Sequence, residues 1–188
     1  MSAPERAVTL ITAFEVPPDA DEPFVGAWER ARAAKGAVRA TALHRALRPD
    51  VDFRFVDVTL ADSAEASAED VPMPFPAHPG VYEVVREDAT PDVAGGVVLI
   101  NPFEVHDGED ERLLTGWDRA RGALAQQRGY LGTRLHRSLG PARFRFINVA
   151  RWSSPLMFAR ALARPEFQEA ARAIPFPAHP ALYLVVRD

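Results

Sequence analysis

Short runs of this chain alternate apolar and polar residues with the period of a half-buried strand, and others repeat apolar residues at helical spacing. Ala7 to Val16 reads as a strand closed by Pro17-Pro18-Asp19. Asp19 or Asp21 is placed to cap a helix from Glu22 to Lys35, with Phe24, Trp28, Ala31 and Arg32 on one face and Gly36 as its stop. Val38 to Leu47 and Phe53 to Leu60 form a hairpin about the turn residues Arg48-Pro49-Asp50. Ala61 to Asp70 (ADSAEASAED) has no apolar stripe and reads as a loop or a single turn before a strand from Val81 to Arg86. Glu87 to Gly96 is turn-rich and reads as a linker.

The same order then recurs. A strand from Val97 to Val105 leads through His106-Asp107-Gly108 into a helix from Glu109 to Gln127 that buries Leu113, Leu114, Trp117, Ala120 and Leu124. Gly129 ends it, and strands Tyr130 to Leu139 and Ala142 to Trp152 follow. Ser153-Ser154-Pro155 is a helix-start signal, a hydroxyl cap before a first-turn proline. The helix it opens, Leu156 to Ile174, turns Phe158, Leu162, Phe167 and Ala171 inward, and Pro165 bends or divides it. A strand from Leu182 to Arg187 closes the chain.

The recurrence is a tandem duplication. PFPAHP occurs at Pro74 to Pro79 and again at Pro175 to Pro180, each copy followed by a strand ending Val-Val-Arg. Trp28-Glu-Arg-Ala-Arg32 matches Trp117-Asp-Arg-Ala-Arg121, LHRAL (Leu43 to Leu47) matches LHRSL (Leu135 to Leu139), and FRFVDV (Phe53 to Val58) matches FRFINV (Phe144 to Val149). The offset between copies grows from 89 residues at the tryptophans to 101 at PFPAHP, mostly because the second copy has about ten more residues before that run. The organisation is therefore a first repeat over residues 1–88 that acts as a structural partner, a linker over 89–96, and a complete repeat over 97–188 that holds the pocket. Each repeat is β-α-β-β-α-β, the ferredoxin-like unit, with the second helix of the first repeat lost or rudimentary. A four-stranded sheet with helices on one face leaves the other face uncovered, so the fold expected is α+β, with two such sheets joined as an intramolecular pseudo-dimer.

Composition narrows the chemistry. The net charge of -4 and 47% apolar residues describe a globular chain with no signature of nucleic-acid or membrane binding. The absence of cysteine removes disulfides and thiolate chemistry, and the N-terminal residues lack a signal-peptide pattern, which points to the cytoplasm. No HxxxH, phosphate loop or carboxylate cluster at ligand spacing suggests a metal or nucleotide site.

Strand alternation places Leu99, Asn101 and Phe103 on one face, and Phe144, Phe146, Asn148, Ala150 and Trp152 on one face of another strand. Two carboxamides and an indole on an aromatic face beneath two helices suit a flat, oxygenated aromatic ligand. The matching first-repeat residues are Thr12, Asp57 and Thr59. His44 with His136 and His78 with His179 are matched between copies; His136 and His179 are the candidate general bases, since imidazole titrates near neutrality. Phe158 and Tyr183 are candidate ligand contacts, and Arg134, which replaces Ala42 of the first repeat, is a candidate partner for an anionic or phenolic group.

The second copy's NPFEV, GWDRARGALAQQRGYLGTRLHRSL, FRFINVARW and LARPEFQEA resemble the antibiotic biosynthesis monooxygenase family of dimeric α+β barrels. That resemblance implies a small oxygenase using molecular oxygen without metal or flavin on a phenolic anthrone-like polyketide. It also implies active-site roles for Asn101 and Trp152. Related barrels cyclise polyketides or cleave haem; the haem-cleaving relatives carry a histidine near where Ala171 stands, which makes haem the less favoured ligand. A cyclase and a non-catalytic binding barrel are the alternatives, with a small aromatic molecule as partner and a further homodimer open.

Overall fold

A computed structural model of the chain describes residues 7–34, 38–62, 73–88 and 96–188. Its elements run β1 (Val8–Phe14), a 3-10 turn (Pro18–Ala20), α1 (Asp21–Ala34), β2 (Ala40–Ala46), β3 (Phe55–Ala61), β4 (Ala77–Glu87), β5 (Val97–Phe103), α2 (Asp110–Ala125), β6 (Tyr130–Ser138), β7 (Phe146–Trp152), α3 (Pro155–Leu162), α4 (Pro165–Arg172) and β8 (Ala181–Arg187). The eight strands hydrogen-bond in the closed barrel order β1-β3-β2-β8-β5-β7-β6-β4. Within that order each repeat contributes the ferredoxin-like sequence 4-1-3-2, so the α+β tandem-repeat fold expected from the sequence is the one observed. The expected loop at 61–70 lies, beyond Asp62, outside the described residues, as does most of the linker.

The strand after the first PFPAHP begins earlier than the sequence suggested. Ala77 and His78 already pair with Phe14 and Ala13, so the second half of the proline-rich run is the start of β4. The second run does the same more weakly: Ala178 bridges Phe103, and Glu104 N donates to Pro177 O (3.0 Å). Proline confines such a run to a strand end, where a missing N–H breaks no interior ladder.

Contacts divide the chain into two compact units: the described residues up to Val84 with Arg137–Arg143 and Tyr183–Asp188, and Val85–His136 with Phe144–Leu182. In the first, the expected face of α1 is buried: Phe24 stacks on Phe55 (4.3 Å between centroids) and meets Phe14 edge-on, in a cluster with Val16, Trp28 and Leu43. Asp21, the first residue of α1, receives a two-pronged pair from Arg54 (2.9 and 2.7 Å). The second unit repeats this device, with Arg145 donating to both oxygens of Asp110 (3.0 and 2.8 Å) at the start of α2. The arginine of each Phe-Arg-Phe run thus latches the preceding helix at its acid-favouring N-terminus.

The helix expected over Leu156 to Ile174 is divided. Ser154 caps α3 by accepting from Met157 N (3.3 Å), Pro155 occupies its first turn, and Pro165 starts α4 after a break at Ala163-Arg164. Gly129, with φ near 88°, turns the chain from α2 into β6; its carbonyl accepts from Ser153 N (2.8 Å), fixing the end of β7 beside it.

Candidate functional site

β5 and β7 run antiparallel with Leu99 opposite Ala150, Asn101 opposite Asn148, and Phe103 opposite Phe146. This face is covered at both ends. At one end α2 packs Leu113, Leu114 and Trp117 against Phe103, Phe146 and Leu135. At the other, α3 packs Phe158 and Ala161 against Leu99, Ala150 and Trp152. The carboxamide pair lies between these two apolar clusters, with Asn148 buried and Asn101 half-buried.

Trp152 is fully buried, with Phe158 edge-on at 5.3 Å and Tyr130 edge-on at 5.5 Å. Its Nε1–H is buried and has no hydrogen-bond partner among the described residues, and neither has Asn101 Oδ1. A buried polar atom left unpaired costs about 1–3 kcal/mol, and two such atoms lie on this one apolar face. Arg32 Nε and Arg121 Nε are similarly orphaned, but Arg121 already binds Asp88 through another nitrogen. Asn148 differs from Asn101 in being partnered: Thr133 Oγ1 donates to its Oδ1 (2.6 Å).

Phe103 and Phe146 pack in the cluster beneath α2, and Phe158 in the cluster around Trp152. His136, Arg134, His179 and Tyr183 do not join the group. Thr133 and Leu135 of β6 face the helices, so alternation turns His136 and Arg134 to the other face. There the His136 Nδ1–H donates to Ile147 O (3.2 Å), and burial pushes its pKa down to about 4. Its position on the other face of β6 separates it from Asn101 and Asn148. Arg134 is half-exposed and paired with Glu87 (2.6 Å). His179 sits opposite Pro102, to whose carbonyl its backbone N donates (3.0 Å); this is the face away from Asn101, and its Nε2 meets Glu104 Oε1 (3.1 Å). Tyr183 belongs to the first unit, where its buried hydroxyl donates to Phe53 O (2.8 Å).

Sequence reasoning missed Thr133 and Tyr130. Thr133 falls on the same strand face as Leu135, a signal that alternation carried; its partner Asn148 depends on register and was not readable. Tyr130 holds the edge of Trp152 while its hydroxyl donates to Asp88 Oδ2 (2.6 Å); burial, then that hydrogen bond, raises its pKa. Asp88 also pairs with Arg121 of α2. Among the described residues no group of three or more His, Asp or Glu could hold a metal ion, and no helix is long and apolar enough to cross a membrane.

Residues 96–173, which include every residue of this group, match the family model described as antibiotic biosynthesis monooxygenase. This second repeat is a domain of that family. The whole fold of the tandem chain is similar to solved structures. An anthrone oxidase-like protein superposes with a TM-score of 0.73 at 15% identity, covering 97% of this chain and 92% of that one. A monooxygenase-like protein from Listeria innocua gives 0.59 at 13% identity, over 96% and 95%. A haem-degrading enzyme from Listeria monocytogenes gives 0.55 at 16% identity, over 96% and 99%. At these identities the likeness is one of fold. No curated protein matches the chain. Within the matched residues, Asn101 and Asn148 face each other across β5 and β7 and Trp152 follows four residues along β7, with Thr133 bonded to Asn148 and Tyr130 edge-on to Trp152 from β6.

Proposed function

We propose that the monooxygenase domain oxidises a phenolic, anthrone-like polyketide intermediate to the quinone, using molecular oxygen and neither metal nor flavin. The observation that carries this reading is the pair of orphaned buried atoms, Asn101 Oδ1 and Trp152 Nε1, on an aromatic-walled face. One accepts and one donates, so the complementary guest bears both a hydroxyl and an oxygen that can take negative charge. A hydroxylated anthrone has both, and an anthrone oxidase-like protein is among the structures that share this fold.

The chemistry follows from stabilising an anion. Ionisation of the phenolic tautomer leaves an electron-rich carbanion, and N–H donors aimed at its oxygen favour that form in a dry site. The anion passes one electron to oxygen, and the two radicals combine in a new C–O bond. Protonation gives a hydroperoxide at the ring methylene. Loss of the remaining hydrogen there, with cleavage of O–O, releases water and leaves the carbonyl: CH2 plus O2 becomes C=O plus H2O. With His136 and His179 facing elsewhere, the first proton leaves through the ionisation of the substrate itself and passes to solvent.

Oxygen uptake with dithranol, a dihydroxyanthrone, tests the reading. One oxygen consumed per quinone formed is expected, and Asn101→Ala should lower kcat about tenfold or more, the loss of one polar contact to the transition state. Absence of oxygen uptake, or ring closure of a poly-ketone without it, would sink the oxygenase reading; the latter is what a cyclase would do.

A further inference from the structure

Asn148 can act as a donor only if its amide is turned the right way, and a neighbouring hydroxyl decides which way that is. Thr133 Oγ1 stands 2.6 Å from Asn148 Oδ1, and Val149 O is the next acceptor at 3.3 Å. A separation of 2.6 Å belongs to an O–H···O contact and is short for N–H···O, so the single hydroxyl proton points at the amide oxygen. Both Asn148 and Thr133 are buried. A flipped amide would set its NH2 against a hydroxyl whose proton could reach only the longer contact.

We propose that Thr133 is a positioning residue of the monooxygenase domain: its hydroxyl holds the Asn148 carboxamide with the NH2 group turned toward the substrate oxygen. This rests on the oxidation proposed above. Asn148 then adds a second donor to that of Trp152 where negative charge develops, while Asn101, opposite it in register, supplies the acceptor. Thr41, at the matching position of the first repeat, makes the same kind of contact to Asp57 (3.1 Å), but a carboxylate has no NH2 to orient. The threonine is shared scaffold; the amide beside it is what gives it a task.

The test compares Thr133→Val, which keeps the shape and removes the donor, with Thr133→Ser, which keeps the donor. Two readouts are needed: dithranol turnover by oxygen uptake, and the visible spectrum of bound 1,8-dihydroxyanthraquinone, an unreactive probe whose phenol changes colour on ionisation. For Thr133→Val, kcat should fall about tenfold with KM within about twofold. The bound probe's ionisation midpoint should rise by about one pH unit, and Thr133→Ser should restore both. Should the valine variant fail to fold, Thr133→Ala is measured in its place with the same expectations. An unchanged probe midpoint overturns the proposal, and so does equal loss in the serine and valine variants. If wild-type protein binds the probe without oxidising dithranol, the oxygenase reading falls, and the midpoint difference between wild type and variant alone upholds or overturns the role of Thr133. Failure of the wild type to bind the probe overturns both.

Discussion

At the same strand register, the two repeats deal with buried polarity in opposite ways. In the first, Thr12 faces Asp57, and the Asp57 carboxylate accepts from Thr41 (3.1 Å) and Thr59 (3.3 Å), with the two hydroxyls 2.7 Å apart. The polar groups there answer one another. In the second, Asn101 faces Asn148, Ala150 replaces Thr59, Trp152 replaces Ala61, and two buried atoms are left without partners among the described residues. One backbone therefore carries a self-satisfied network in one copy and an unsatisfied one in the other. The second arrangement makes physical sense when a ligand completes it.

The largest effect should come from the residue with no counterpart of its size. Trp152→Ala opens a cavity in a fully buried cluster and should cost about 3–5 kcal/mol in urea unfolding. Trp152→Phe separates packing from hydrogen bonding: it removes an N–H that lacks a partner, so stability should hold within about 1 kcal/mol while dithranol oxidation falls about tenfold or more. Wild-type turnover in a well-folded Trp152→Phe chain would mean that the orphaned N–H is only a packing defect.

Where the repeats agree, the comparison predicts equal behaviour. His44 and His136 each donate from Nδ1 to a carbonyl on the neighbouring strand (Val56 O and Ile147 O, both 3.2 Å), and burial lowers each pKa from 6.5 to about 4. Between these values the unfolded chain binds more protons than the folded one. Stability conferred by each neutral imidazole is thus complete above pH 6.5 and is lost progressively down to about pH 4, by roughly 3 kcal/mol per histidine. Urea midpoints measured from about pH 8 to about pH 4 should show this fall, and His44→Asn and His136→Asn should flatten it by similar amounts. A flattening confined to His136→Asn would break the symmetry and return that residue to the functional group.

The histidines also show what the sequence could and could not reveal. The duplication, the capped helix at Ser154, its division at Pro165 and the buried stripe of α1 were all readable, because each is written in local spacing. The roles of His136 and His179 were read from residue type, while the face each occupies depends on register. Alternation from Leu135 already turned His136 away; for His179, only the pairing of the second PFPAHP run with Pro102 and Phe103 shows it. The Arg54–Asp21 and Arg145–Asp110 latches were invisible for the same reason: 33 and 35 residues separate the partners, and nothing local joins them.

The smallest effect is the most direct exchange between the copies, Asp57→Asn against Asn148→Asp. In the first repeat the carboxylate accepts two hydroxyl bonds and has no donor role, so Asp57→Asn should cost about 1–2 kcal/mol of stability through weakened charge-assisted bonds. Dithranol oxidation should be unchanged. In the second repeat the Thr133 hydroxyl donates as readily to a carboxylate as to an amide, so Asn148→Asp preserves that contact. It does remove the NH2 and sets a negative charge where the substrate's oxyanion would form, and kcat should fall about thirtyfold, equivalent to about 2 kcal/mol. If instead the two substitutions cut turnover equally, the first repeat would share in the chemistry, and the difference in polar satisfaction would not be what separates a scaffold from a site.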